Sequence, residues 1–245
     1  MKNIIFLGSK PIGYHCLKFL LENKTSDYQV VAIVSNENSR FGNEFSLKKL
    51  AIENDIRFHQ NIEFLEDIDI DFLISVQYHE ILKSKTLKRV KGMSINLHMA
   101  PLPEYRGCNQ FSFAIYNRER AFGTTLHVLD EIRFPIEDDD DVESLYLRTF
   151  EFSKELFKRS IFNIMNGEFK TRSQIELSKT RKSNIYYRKD IESIKKLDFG
   201  NKTDEVYLKV KATSKIGFTP PFAEVNGEKL YVLSQRMYDN LINQK

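Results

Sequence analysis

Residues 94–107 read SINLHMAPLPEYRG. The first half has strand character and ends in an apolar run. The second, with Pro101 and Pro103 either side of a leucine and then an Arg-Gly, is a constrained loop. A strand that hands over to such a loop leaves its last side chains facing a cleft. Residues two apart on a strand share a face, so Asn96 and His98 point the same way. An amide able to donate a hydrogen bond beside an imidazole able to carry a proton suits a developing oxyanion and a proton transfer. The same pair also serves to satisfy backbone groups at a strand end, and spacing alone leaves both readings open.

Working outward, apolar or β-branched runs recur at residues 3–7, 28–34 (YQVVAIV), 56–58, 71–76 (DFLISV) and 94–97, with a further strand at 124–129 (TTLHVL). Helical spacing fills residues 14–21, 45–54, 106–117 and 142–165. Strands alternating with helices imply an α/β, Rossmann-like fold, with a mainly parallel sheet, helices on both faces and active groups at the carboxyl ends of the strands. After Gly167 the chain turns polar. A small C-terminal α/β annex follows, with a strand at 185–188, a helix at 190–197 and a hairpin turned by Asn226-Gly227. The division expected is a catalytic domain at 1–180 and an annex at 181–245 that offers a dimerisation hairpin.

The chain has 245 residues, 41% hydrophobic and 29% charged, with a net charge of +3. That length buries a sizeable core, and the charge is too small to argue for nucleic acid. The cluster Lys83, Lys85, Lys88, Arg89 and Lys91 reads as a solvated helix face. Two cysteines, Cys16 and Cys108, give neither a disulfide framework nor zinc spacing, which fits a reducing cytoplasm. No apolar run reaches the length of a membrane span. The acidic run EDDDD at 137–141 reads as a cap on the following helix, because consecutive carboxylates diverge and do not converge on a metal. The loop GSKPIG at 8–13 lacks both the dinucleotide and the P-loop spacing, and Pro11 removes an amide. Loose anion binding by the helix N-terminus and Lys10 is one reading of the loop, and a plain strand-to-helix turn is equally consistent with it. His15 and His127 read as packing residues, His59 ends a strand without an evident partner, and His79 lines a cleft.

The runs INLHMAPLPEYRGCNQFSFAI and FGTTLHVLDE strongly resemble the folate-dependent formyltransferases, in which Asn-x-His, a Leu-Pro loop, an aromatic-x-Gly and a strand ending in Asp follow in order. The resemblance runs from the N-terminal strand to about residue 167. It implies transfer of the formyl group of 10-formyltetrahydrofolate to an amine, with no metal. It gives Asn96 the oxyanion and His98 the proton chemistry. Val76, Gln77, Tyr78 and Ile81 resemble the segment lining the pterin pocket, and Ala100, Pro101, Leu102 and Pro103 the folate-contacting turn. One feature departs from the pattern. The family's third catalytic residue is an aspartate on a Gly-rich loop beyond the strand, but here Asp130-Glu131 runs straight into IRFPI, with Phe134 where the aspartate is due. Asp130 is a weak substitute. The stretch TTLHVLDEIRFPI has no turn residues for a reversal, so the expectation is that a loop belonging there is omitted from the chain, the alternative being that the protein has lost it and most of its activity.

The tail NIYYRKDIESIKKLD (184–198) and the helix string YRGCNQFSFAI resemble the sugar-nucleotide N-formyltransferases. That implies a dTDP-linked 4-amino-4,6-dideoxyhexose as acceptor, for surface polysaccharide, in a cytoplasmic homodimer with no nucleic-acid or membrane partner. Tyr186 or Tyr187 would stack on thymine, equally with core or dimer packing, and Lys10 or Arg106 would meet the diphosphate. Tyr105, Gly107, Asn109 and Gln110 complete the expected substrate-binding set. Alternatives are another folate-dependent formyltransferase, a formyltetrahydrofolate hydrolase, or a non-catalytic folate or nucleotide binder.

Overall fold

A computed structural model describes residues 1–36, 43–67, 69–127, 130–171, 173–200 and 202–243. The strands are β1 (Lys2–Gly8), β2 (Tyr28–Val34), β3 (Arg57–His59), β4 (Ile70–Val76), β5 (Val90–His98), β6 (Arg106–Gly107), β7 (Ala121–Leu126), β8 (Asp130–Pro135), β9 (Ile185–Tyr186), β10 (Phe222–Val225) and β11 (Glu228–Tyr231). The helices are α1 (Lys10–Glu22), α2 (Leu47–Glu53), α3 (Ser84–Leu87), α4 (Gln110–Tyr116), α5 (Val142–Met165), α6 (Gln174–Leu177), α7 (Ile191–Lys195), α8 (Thr203–Thr213) and α9 (Gln235–Ile242).

The main sheet has seven strands in the order β3-β2-β1-β4-β5-β7-β8. Pairings from β3 to β5 are parallel, and β5 meets β7 antiparallel. The sheet is mainly parallel and Rossmann-like, as its apolar runs predict. Its order reverses between β1 and β4, and in such sheets ligands bind at the carboxyl edge of that crossing. The core strands are apolar throughout: Ile4, Ile5, Phe6 and Leu7 of β1 and Leu73, Ile74 and Val76 of β4 are at most 2% exposed. Such continuous burial is the mark of a strand covered on both faces.

By contacts the chain forms two compact units. The first takes Met1–Met99, Thr125–Ile132 and Phe152–Arg172, and the second takes Ala100–Thr124, Arg133–Glu151 and Ser173–Lys245. Residues 181–245 thus all belong to the second unit, together with the segment that follows Met99.

Several local expectations need correction. The strand at 94–97 begins at Val90, because the polar Lys91 and Gly92 extend it at the sheet margin. The helix expected from Arg106 starts at Gln110, since Arg106-Gly107 is taken up as β6, paired parallel with β9. The strand at 185–188 shortens to β9, and the helix at 190–197 to a 3-10 turn at Arg188–Asp190 followed by α7. The cluster from Lys83 to Lys91 is not one helix face: α3 spans only Ser84–Leu87, and Lys91 lies on β5, where it pairs with Asp69 at 2.8 Å. The strand expected at 124–129 ends at Leu126, and 128–129 lie outside the described residues. β7 and β8 are neighbours in the sheet.

The long helix over 142–165 and the hairpin at Asn226-Gly227 form where the sequence places them. Asp141 caps α5, its Oδ1 accepting from the Glu143 and Ser144 amides at 2.9 and 2.8 Å. Asp140 turns instead to Arg148 and Ser144, so the two carboxylates diverge as the spacing requires.

Gly107 is fixed by geometry. Its φ is +89°, and a Cβ there would stand 2.1 Å from the Tyr186 carbonyl oxygen. Gly217 shares the sign, φ +79°, but a Cβ there meets nothing within 4 Å. Gly107→Ala should therefore lower unfolding free energy by about 2 kcal/mol or more, and Gly217→Ala by about 1 kcal/mol, in urea titrations. Equal losses would show that the β6–β9 contact yields freely.

Candidate active site

On β5 the two-residue period is complete: Ile95, Leu97 and Met99 are buried, while Asn96 and His98 are half-buried on the opposite face. The apolar set fixes the strand, and the polar pair is what remains. Parallel registry places Ser75 beside Asn96 and Val76 beside Leu97, so Gln77, one residue beyond β4, is level with His98. Gly8 pairs with Val76, which makes Ser9 level with Gln77. On the other side Thr125 pairs with His98, and the His127 amide donates to the Asn96 carbonyl at 2.8 Å. His127, expected inside the strand, stands in the turn beyond it, and burial lowers its pKa.

Three hydrogen bonds tie the exits of β1 and β4. The Ser9 amide donates to the Val76 carbonyl at 3.2 Å, the Ser9 hydroxyl to the Gln77 carbonyl, and Lys10 Nζ to Gln77 Oε1 at 3.0 Å. Lys10 and Gln77 both hold left-handed backbone, φ +63° and +53°. Such conformations cost a non-glycine residue roughly 1–2 kcal/mol and gather at functional sites. Next along the chain, the Tyr78 hydroxyl is buried with no hydrogen-bond partner of normal geometry. Burial first, then the neighbouring Glu80 carboxylate, raises its pKa to about 12. Ile81, by contrast, is 94% exposed. His79 is exposed, its Nε2 3.3 Å from Glu80 Oε1. His59 does have a partner, since its ring stacks on Phe64 at 3.5 Å.

Asp130 opens β8 and does not end the preceding strand. Its Oδ2 accepts from Ser160 Oγ at 2.7 Å and Arg159 Nη2 at 2.9 Å, and its Oδ1 from the Glu131 amide at 2.8 Å. Burial would raise its pKa, but the hydrogen bonds from Ser160 and Arg159 outweigh it and hold the carboxyl below its usual value. A carboxylate committed to these donors is poorly suited to base work.

The other candidates lie in the second unit. Ala100, Pro101, Leu102 and Pro103 are all buried, with Leu102-Pro103 cis. The carboxylate of Glu104, next in sequence, takes a two-pronged bond from Arg181 at 2.6 and 2.7 Å and a third from Arg133. Arg106 donates to Ser183 Oγ at 2.9 Å, and its Nε is buried without a partner. The Asn109 side chain donates to the carbonyls of Tyr187 and Arg188 at 3.3 and 3.2 Å, and Gln110, buried, opens α4. Residues 181–188 are thereby strapped along residues 104–109. Tyr186 lies parallel to Phe113 at 4.3 Å and to Tyr105 at 5.3 Å, and Asn117 donates to the hydroxyls of both tyrosines. The Tyr186 ring is thus packed, whereas Tyr187 is 60% exposed. The Glu104 clamp and the Ser9–Gln77 tie escaped sequence reasoning. Their partners are 77 and 68 residues apart, and no local pattern marks them.

Among the described residues no cluster of three or more His, Cys, Asp or Glu is placed to hold a metal, and no helix is long and apolar enough to cross a membrane.

Residues 2–161 match the family model described as Formyl transferase. A methionyl-tRNA formyltransferase of Mycoplasma capricolum subsp. capricolum is 26% identical over 265 aligned positions, covering 98% of this chain and 80% of its own. That alignment is longer than the chain, so the relative carries residues that this chain lacks. The N-formyltransferase of Helicobacter canadensis, solved with folinic acid and dTDP-3-aminofucose, superposes with a TM-score of 0.70 at 25% identity, over 94% of this chain and 86% of that one. A 4-N formyltransferase from Francisella tularensis gives a TM-score of 0.73 over 95% and 97% at 18% identity, a likeness of fold.

Asp130 yields a signed prediction. A carboxylate held below its unfolded value of about 3.9 stabilises the fold above that pH and loses the contribution as pH falls through the folded pKa. The stability gap between wild type and Asp130→Asn, read from urea midpoints, should be constant near neutrality and shrink below about pH 4. A gap that widens on acidification contradicts the assignment. Glu104→Ala, which removes the carboxylate that both guanidinium groups bind, should cost about 3 kcal/mol in the same titration.

Proposed function

The chain belongs to the formyl transferase family, and from that premise we propose that this folate-dependent N-formyltransferase acts on the amino group of a dTDP-linked 4-amino-4,6-dideoxyhexose, with 10-formyltetrahydrofolate as donor. The observation that carries the transfer is Asn96 and His98 on one face of β5, at the carboxyl edge of the sheet and level with Gln77. The donor supplies an activated formyl group. Gln77 and Tyr78 are the residues of the first unit that would hold it.

Asn96 Nδ2 donates to the formyl oxygen as negative charge develops there. His98 takes the proton lost by the attacking amine as the new C–N bond forms, and returns a proton to the departing donor nitrogen as the old bond breaks. The proton traffic falls to His98 because Asp130 is committed to Arg159 and Ser160. The catalytic domain is taken as 1–180, and the annex as the part that selects the acceptor and pairs two copies of the chain.

For the acceptor, support comes from the strap at 181–188. Its backbone is fixed by Asn109, by β6–β9 pairing and by the Asp190 carboxylate, which accepts from the Tyr187 amide at 2.7 Å. An exposed aromatic on a rigid backbone stacks on a base at low entropic cost, which favours Tyr187 over Tyr186 for thymine. For the diphosphate the candidate is either Lys10 or Arg106. The Helicobacter canadensis enzyme carries a dTDP-amino sugar and spans a similar length. The Mycoplasma relative supports a second reading, formylation of methionyl-tRNA.

Purified protein should consume 10-formyltetrahydrofolate only when an amino-sugar nucleotide is present, within a panel of 3-amino and 4-amino isomers. Formylation of charged initiator tRNA, or consumption with no amine, overturns the acceptor. Asn96→Ala should lower kcat by about 10²–10³, the usual loss for one oxyanion donor. His98→Ala should abolish turnover while leaving donor binding intact.

A further inference from the structure

We propose that the amino edge of the sheet carries a second binding site, a cavity suited to a free α-amino acid with an apolar side chain. None of its residues belongs to the set assigned above to donor or acceptor, and its ligand is a different class of molecule.

The cavity has a volume of about 280 Å³. It lies among the first residues of β1 and β2, the end of α1 with the residues that follow, the turn between α2 and β3, and Phe162 of α5. These strands run parallel to β5, which presents Asn96 and His98 at the opposite edge. Ligand pockets commonly span about 300–1,000 Å³, so this one is at the small end, a size for a free amino acid and not for a folate. Its floor is apolar. Ile4, Leu20 and Leu21 are buried in the core, with Ile56 and Phe162 half-buried beside them. A floor made by core residues keeps its shape without a ligand, which lowers the ordering cost of binding.

The rim is polar. α1 and α2 each end at an asparagine whose side chain folds back: Asn23 Nδ2 donates to the Phe19 carbonyl and Asn54 Nδ2 to the Leu50 carbonyl, both at 2.9 Å. Each amide nitrogen is thereby used, and each amide oxygen remains as an acceptor. Asn54 Oδ1 meets Lys24 Nζ at 3.4 Å, longer than an ordinary hydrogen bond, and among the described residues that ammonium has no carboxylate partner. Asp55 holds left-handed backbone, φ +54°, a conformation that aspartate tolerates better than most residues. Its carboxylate likewise has no cationic partner among the described residues. The cavity thus carries a cation and an anion that pair neither with each other nor with a neighbour, above an apolar floor. A molecule with both charges and an apolar tail complements all three. Lys24 takes the α-carboxylate, Asp55 and the Asn23 amide oxygen take the α-ammonium, and the side chain enters between Leu21 and Phe162. A fatty acid or a simple amine would use only one of the two charges.

The test is calorimetry on the full chain with phenylalanine, and with probes that each lack one element. Phenylalanine should bind saturably. Glycine, 3-phenylpropanoate and phenethylamine, which lack the apolar side chain, the ammonium and the carboxylate in turn, should each bind at least about tenfold more weakly. Lys24→Ala should weaken phenylalanine about tenfold and leave phenethylamine unchanged. Asp55→Asn, which keeps a residue tolerant of the left-handed turn, should weaken phenylalanine about tenfold and leave 3-phenylpropanoate unchanged. Absence of saturable binding overturns the site. So does any of the three probes matching phenylalanine, since the cavity would then read only charge or only apolar surface. Phenylalanine binding that neither variant weakens, or that saturating dTDP or 10-formyltetrahydrofolate displaces, puts the ligand elsewhere and overturns the site as well. The readout needs no turnover, so failure of the transfer assignment leaves it standing.

Discussion

Burial of one face of β5 is the constraint on which the rest depends. Ile95, Leu97 and Met99 are each about as deeply buried as any residue in the chain, at 1% exposure. Because side chains alternate, no register satisfies those three without turning Asn96 and His98 the other way. The placement of the Asn96–His98 pair is therefore fixed by hydrophobic burial, and a one-residue slip would exchange the two faces. The parallel pairing with β4 then adds Gln77 at the same level, and the crossing with β1 adds Ser9 and Lys10.

A different kind of force organises the second unit. There the segment after His98 is held by polar contacts to residues some 77–79 positions away: Glu104 to Arg181, Arg106 to Ser183, Asn109 to Tyr187 and Arg188. A close backbone approach at Gly107 joins them, and Tyr186 packs among Tyr105 and Phe113. The Glu104 carboxylate is only 13% exposed, and a charge so placed is stable only while its guanidinium partners remain. The loop that follows β5 is thus fixed by the tail of the chain.

The strand expected through Leu129 stops at Leu126, and Asp130 opens the next strand, β8. Bound there to Arg159 and Ser160 of α5, its carboxylate holds that strand end to the helix.

Sequence by itself determined the parallel strands, the long helix from Val142 to Met165, the Asn226-Gly227 hairpin and the shared face of Asn96 and His98, since all follow from local periodicity or turn chemistry. It missed α8 and α9, whose buried residues are few among many charges, and it lengthened the helix at Arg106 because two-residue strands such as β6 and β9 leave no periodic trace. Only the tertiary structure decided which tyrosine is packed and which exposed, where the Asp130 carboxylate is spent, and that Lys10 is held by Gln77. Each of these depends on groups brought together from distant parts of the chain, and the hydrogen-bonding capacity of a side chain does not reveal in advance which partner it will meet.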